Sequence, residues 1–271
     1  MLSIEHPADA RAAERLAAGA GIGDCAFVAG GTALQLGWPA QVPALRLIDV
    51  RRLPEAQGIG IVDGQVRIGA AQRLEALRRD AAVAQCAPLL AQACATLAAL
   101  SVRHLGTLGG NVGWGFGDCI PALLAMDAQA ELADGRQVAL DALLRAAPVP
   151  PLMVAFRIDA QRFARGHAAG QVGVLEKVGL RAAFSPARLT LALTVRLTPA
   201  RELAALRIAA GAAGVRARRL GALEQQLEGM PPAPLTPAML RDACRADLPD
   251  SAVAAELAAR LVAGHLGSLA P

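Results

Sequence analysis

Two stretches of this chain place glycine, hydroxyl and amide groups where a bound anion could be met. The first is Ala29-Gly30-Gly31-Thr32, directly after the apolar run Cys25-Ala26-Phe27-Val28. The second is Thr107-Leu108-Gly109-Gly110-Asn111, followed by Asp118 and an apolar run that contains Pro121. Paired glycines carry no Cβ, so backbone N–H groups can come close to a ligand. Asn111 adds both a donor and an acceptor. A glycine turn that feeds a helix start suits an anion, because unpaired N–H groups converge there. Each stretch alone also reads as an ordinary tight turn. Lys177 is the third residue of interest, as the sole lysine in a chain whose other permanent cations are all arginine.

The elements that must position these residues follow from pattern. Residues 7–18 carry charges at helical spacing and stop at glycine, which predicts a helix. Strand 25–28, the first glycine turn, a short helix near Leu34 and a strand over 45–50 close a β-α-β unit. Asp63-Gly64 and Asp134-Gly135 lie between β-prone runs and predict two hairpins. Residues 81–100 read as one buried helix, interrupted too often by Gln85, Pro88 and Gln92 to be a membrane span. Pro148, Pro150 and Pro151 mark a boundary before a strand over 153–158. Beyond it, 172–177, 189–197 and 203–209 predict a three-stranded meander, and 216–227, 237–245 and 253–266 predict helices. Strands followed by helices indicate a small α+β unit. The expected division is 1–52, 53–160 and 161–271.

Composition excludes several classes. The 54% hydrophobic content supports a substantial core rather than disorder. The net charge of +4 is spread along the chain, and its densest group, Arg216-Ala217-Arg218-Arg219, reads as a solvated helix face. There is no tyrosine, so a base-stacking surface for nucleic acid is not expected. The five cysteines form no Cys-x-x-Cys pair, so no iron–sulfur cluster or zinc site belongs to this chain, and reduced thiols point to the cytoplasm. His6, His104, His167 and His265 stand apart in sequence, so no catalytic residue and no metal ligand is assigned.

The three motifs, in this order, resemble the FAD-binding medium subunit of the molybdenum hydroxylases, the xanthine dehydrogenase and carbon monoxide dehydrogenase family. That family shows A-G-G-T-D-L, then I-R-N-x-G-T-I-G-G-N, then D-x-x-P-A-L-L-A-L-D-A, then K-x-x-x-R. Here they stand as Ala29-Gly30-Gly31-Thr32-Ala33-Leu34, Val102 to Asn111, Asp118 to Ala128, and Lys177 to Arg181. The resemblance spans essentially the whole chain. It implies an α+β architecture, with a two-part VAO/PCMH-type FAD-binding domain followed by a small C-terminal domain. It implies that Val28, Ala29, Gly30, Gly31, Thr32, Ala33 and Leu34 wrap the FAD diphosphate. Thr107, Gly109, Gly110 and Asn111 would hold the other side of the diphosphate and the ribityl chain. Asp118 would accept a hydrogen bond from the cofactor, or cap the helix at Pro121. Lys177 would lie near the isoalloxazine, where a cation stabilises the reduced ring.

The resemblance further implies a heterotrimer. A large subunit would carry the molybdenum cofactor and a small subunit the [2Fe-2S] clusters. Electrons would pass to FAD here and on to NAD+ or another acceptor. Departures from the family pattern are Ala33 for aspartate, a short loop over 112–117, Leu175 for an aromatic and Ser185 for aspartate. The first two favour an alternative, a structural medium subunit with a degenerate flavin site.

Overall fold

A computed structural model describes residues 2–20, 24–37, 46–146, 151–163, 171–180, 185–232 and 235–270. Strand β1 (Ser3–Glu5) leads to helix α1 (Ala10–Ala18), capped by Asp9, whose side chain accepts from Ala12 N at 2.7 Å. Strands β2 (Cys25–Val28) and β3 (Arg46–Asp49) are parallel, and β1 joins them in the order β1-β3-β2. The β-α-β reading is thus realised with only a 3-10 turn, Leu34–Gly37, among the described connecting residues. The Trp38-Pro39 break lies outside the described residues.

Strands β4 (Ile59–Val62) and β5 (Gln65–Gly69) form the first hairpin. Asp63 and Gly64 both adopt positive φ, +52° and +75°, as a two-residue turn that follows the strand twist requires. The expected single helix over 81–100 is two helices and the first residue of a third. After α2 (Leu74–Arg79) come α3 (Ala81–Cys86), α4 (Pro88–Thr96) and α5 (Leu100–Leu105). Pro88 has no N–H to continue α3 but fits the first turn of α4, which breaks the segment at Ala87. Helices α6 (Leu108–Gly113) and α7 (Cys119–Ala125) follow. The second hairpin is β6 (Gln129–Leu132) and β7 (Gln137–Ala139). Then come α8 (Leu140–Ala146) and β8 (Met153–Asp159). Strand β8 pairs with both β5 and β6, so it sits at the centre of the sheet β4-β5-β8-β6-β7 and is buried along most of its length.

The last sheet departs from expectation. Strands β9 (Gln171–Gly179), β10 (Ala187–Leu197) and β11 (Leu203–Ala212) are joined by a fourth, β12 (Val215–Arg219). The arginine-rich stretch read as helix is this strand: Gly214, at φ +77°, reverses the chain, and Val215 and Ala217 turn inward while Arg216 and Arg218 do not. Helices α9 (Gly221–Leu227), α10 (Pro237–Asp247) and α11 (Ala252–Gly267) follow.

This four-stranded sheet is covered on both faces. Leu189, Leu191, Leu193 and Val195 of β10 pack in a core with α9, α10 and α11. Ala192, Ala209 and Ala217 on the opposite face join a separate core that takes in residues of the first two sheets and α7. Among the described residues, no helix is long and apolar enough to cross a membrane.

Candidate functional site

The chain after β2 turns away from its sheet at Val28, whose carbonyl still accepts from Val50 N at 2.9 Å. Gly31 takes φ +70°, a conformation open to glycine at little cost. Among the described residues, no hydrogen bond engages the N–H groups of residues 29–34, and all six residues are only partly buried. Buried or half-buried backbone donors normally find partners. A run of them with no partner among the described residues is a surface of donors suited to an acceptor.

The second glycine stretch is built differently. It was expected to be a turn offering amides, but it is the first turn of α6. Thr107 is the cap, and its Oγ1 accepts from Gly110 N at 3.2 Å. Leu108 N donates to Gln72 O at 3.0 Å, Gly109 N to Ala70 O at 2.8 Å, and Asn111 N to Thr107 O at 2.9 Å. All four amides are therefore spent inside the protein. The glycine at 109 serves packing: a Cβ there would stand 2.8 Å from the Ala70 Cβ.

The two stretches meet. A Cβ on Gly30 would stand 2.0 Å from the Leu105 carbonyl oxygen and 2.9 Å from the Gly106 Cα, so backbone lies on backbone there. The junction is anchored from behind by Arg103. Its guanidinium donates to Glu75 at 2.8 Å and to the carbonyls of Leu97 and Ala98, both at 2.9 Å. Glu75 is buried and also accepts from Arg78 and Arg79. The hydrogen bond from Arg78, then that from Arg103, hold its carboxyl well below the usual carboxylate range.

Asn111 Oδ1 accepts from Cys119 N at 3.1 Å, so it caps α7. Asp118 does not take the capping role considered for it: its backbone is already helical and its side chain makes no cap bond. Its carboxylate faces the last sheet instead. Oδ2 lies 2.7 Å from Lys177 Nζ, and Oδ1 accepts from Thr190 Oγ1 at 2.7 Å. Lys177 also donates to the Thr96 carbonyl at 3.3 Å.

Behind this group, Cys119 lies 3.9 Å from Cys94, both fully buried. The hydrogen bond with Cys94, together with burial, pushes the Cys119 thiol up, so it is an inert packing group. The loop over 112–117 is fastened by an edge-to-face pair, Trp114 with Phe116 at 5.7 Å, and by Arg216 over the Phe116 ring at 5.6 Å. Leu175 packs on the larger core, and Ser185 Oγ accepts from Leu180 N at 3.0 Å. Arg181 lies outside the described residues. Among those described, no group of histidine, cysteine or acidic side chains could hold a metal.

The sequence reading gave no role to Arg103, although it stands in the second motif, and missed Glu75 and Thr190 as parts of this region. Thr190 left a signal of its own. On β10 it alternates with Leu189 and Leu191, which assigns it to the face opposite the leucines.

Residues 3–153 match the family described as the FAD binding domain in molybdopterin dehydrogenase. The chain belongs to that family. A carbon monoxide dehydrogenase from Hydrogenophaga pseudoflava, which lacks the Mo-pyranopterin moiety of its molybdenum cofactor, has a chain of the same fold. That likeness has 25% identity and a TM-score of 0.79, and covers 98% of this chain and 95% of the other. Quinoline 2-oxidoreductase from Pseudomonas putida 86 is also similar, at 20% identity and TM-score 0.73 over 99% and 97%, a likeness of fold alone. The alpha subunit of the 6-hydroxypseudooxynicotine dehydrogenase complex of Paenarthrobacter nicotinovorans is 34% identical over 112 residues. That match spans 41% of this chain and 35% of the relative.

An FAD-binding domain of an oxidoreductase family thus contains both glycine stretches and Asp118, while Lys177 and Thr190 lie beyond the matched residues. The donor set fits such a cofactor: a run of unengaged amides suits a diphosphate without a basic side chain, and one partly buried ammonium stands apart from it. The fit is one-sided, because the amides of 108–111 have no capacity left.

Proposed function

We propose that this chain is the FAD-carrying electron-transfer subunit of a molybdenum-dependent hydroxylase or dehydrogenase complex. One observation carries the reading: the unengaged amides of 29–34, set against the α5–α6 junction at Gly30 and Leu105. In this reading Val28, Ala29, Gly30, Gly31, Thr32, Ala33 and Leu34 receive the diphosphate. Thr107, Gly109, Gly110 and Asn111 form the wall on its other side, through side chains and shape rather than free amides. Asp118 holds Lys177, and Lys177 presents its charge to the cofactor ring. Bound FAD supplies the redox chemistry; this chain orients it and sets the charge around it.

Residues 1–52 and 53–160 are read as the two halves that hold the cofactor, and 161–271 as the part that supplies Lys177. Among the described residues, no group of histidine, cysteine or acidic side chains could hold a metal ion. The reading assigns the molybdenum cofactor to a large partner subunit, the [2Fe-2S] clusters to a small one, and the outlet to NAD+ or another acceptor. Unpaired thiols at Cys25, Cys86, Cys94, Cys119 and Cys244 support a cytoplasmic setting.

A second reading, a structural subunit with a degenerate flavin site, is favoured by Ala33 and by the spent amides of 108–111. The absorption spectrum of the purified chain, taken with its co-purifying subunits, separates the two. The proposal expects a flavin band near one equivalent per chain, together with molybdenum and iron in the partners. Molybdenum and iron without flavin would leave the structural reading.

A further inference from the structure

Lys177 and Thr190 occupy facing positions of β9 and β10 in the antiparallel register. Directly opposed residues project to the same side of a sheet. Here that side is the one against which α7 packs. Between them the two side chains take one oxygen each of Asp118, the residue that precedes α7: Nζ to Oδ2 and Oγ1 to Oδ1, both at 2.7 Å. Thr190 is 2% exposed, and a carboxylate can only accept, so its hydroxyl must donate to Asp118. The ammonium has three N–H donors. One goes to Asp118 and one to the Thr96 carbonyl. Among the described residues no acceptor takes the third, on a side chain that is 15% exposed.

We propose that Thr190 is a positioning residue for the Lys177 cation. It pins Oδ1 of Asp118, so the carboxylate cannot rotate, Oδ2 stays on Nζ, and the last N–H of the ammonium keeps one direction. This rests on the reading of Lys177 as the cation presented to FAD, and it adds a residue that never touches the cofactor. The same strand repeats the device four residues on. Thr194, fully buried, donates to the Ala125 carbonyl at 2.8 Å at the far end of α7. Strand β10 thus fastens both ends of that helix, but only the Thr190 bond reaches a charged group.

Two substitutions separate positioning from packing. Thr190→Val keeps the shape and removes the donor; Thr190→Ser keeps the donor and removes a methyl. Both are made in the full chain, with Lys177→Met as reference, and read by FAD titration and by the reduction midpoint of the bound flavin. Thr190→Val is expected to weaken FAD binding about tenfold, the size of one hydrogen bond to a charged group. It should also lower the midpoint in the direction set by Lys177→Met, because a loosened cation stabilises negative charge on the ring less. Thr190→Ser is expected to stay within about twofold of the parent.

A valine variant equal to the parent in both readouts, or a serine variant at least as impaired as valine, overturns the inference and leaves a packing role. Where Thr190→Val does not fold, Thr190→Ser against Thr190→Cys repeats the comparison, since a thiol of similar shape is a poor donor. A parent chain that binds no FAD overturns the functional reading itself. FAD bound by both parent and valine variant with the same affinity and the same midpoint overturns this inference alone.

Discussion

Gly30-Gly31 and Gly109-Gly110 look alike in the sequence and are used in opposite ways. The first pair sits in a turn whose neighbouring amides have no partner among the described residues, and its Gly30 exists to let the Leu105–Gly106 backbone lie against it. The second pair sits inside a helix whose first four amides are all committed, to Ala70, Gln72 and Thr107. A glycine pair followed by a helix is therefore not a donor cradle in itself. What decides is whether some other part of the chain reaches the amides first. Here the strand-to-helix segment over 70–72 reaches the second stretch, and among the described residues nothing reaches the first.

The contrast is broken most directly at Gly30. Gly30→Ala puts a methyl on the Leu105 carbonyl and forces two main chains apart. It should cost about 2–3 kcal/mol of stability and abolish measurable FAD binding. Circular dichroism with a thermal melt checks the first, and FAD titration of the folded fraction the second. A variant that melts and binds like the parent would mean that the two stretches need not touch.

Acid tests the anchor behind the junction. Glu75 has its carboxyl held low by Arg78 and Arg103. For Asp127, burial opposes ionisation, but the hydrogen bond from Arg162 and the charges of Arg207 and Arg219 outweigh it, so its carboxyl is also lowered. Groups lowered on folding add stability above their unfolded values near 4 and lose it as pH falls through their folded values. The melting temperature should be level from pH 7 to 5 and drop by about 5 °C or more by pH 3. Glu75→Gln should flatten part of that drop while lowering the melt at pH 7. A melt of Glu75→Gln that follows the parent at every pH would remove Glu75 from the account.

The smallest effect belongs to Gly110→Ala. A Cβ there meets only Thr107 Oγ1, at 3.1 Å, on an exposed helical position. Alanine in a helix gains up to about 1 kcal/mol over glycine. The variant should melt at or slightly above the parent and retain FAD within a few-fold. Loss of FAD as complete as in Gly30→Ala would show the second stretch to be the closer of the two to the cofactor.

Much of this was legible in the chain itself. The Asp-Gly hairpins, the parallel pair around the first glycine turn and the central apolar strand at 153–158 follow from local pattern, because one face or one turn residue decides each. The motif order identified the family. What local pattern could not give was anything settled by a distant partner. The amides of 108 and 109 are taken by residues some forty positions upstream. Asp118 reads as a helix cap until a lysine and a threonine from the last sheet claim both its oxygens, which leaves the cap to Asn111. Arg216 to Arg219 spans too few residues for a period of two to stand out from a helical one, and only pairing with β11 decides it.

The last sheet has one further consequence. The family match closes at residue 153, yet the side chains that hold the carboxylate before α7 arise at 177 and 190, and those on Asp127, just after it, at 162, 207 and 219. Anyone grafting the matched segment into another scaffold would carry α7 across with bare acids at either end and one flank of its packing stripped away. The unit that can be exchanged between relatives is the segment together with the sheet that grips it.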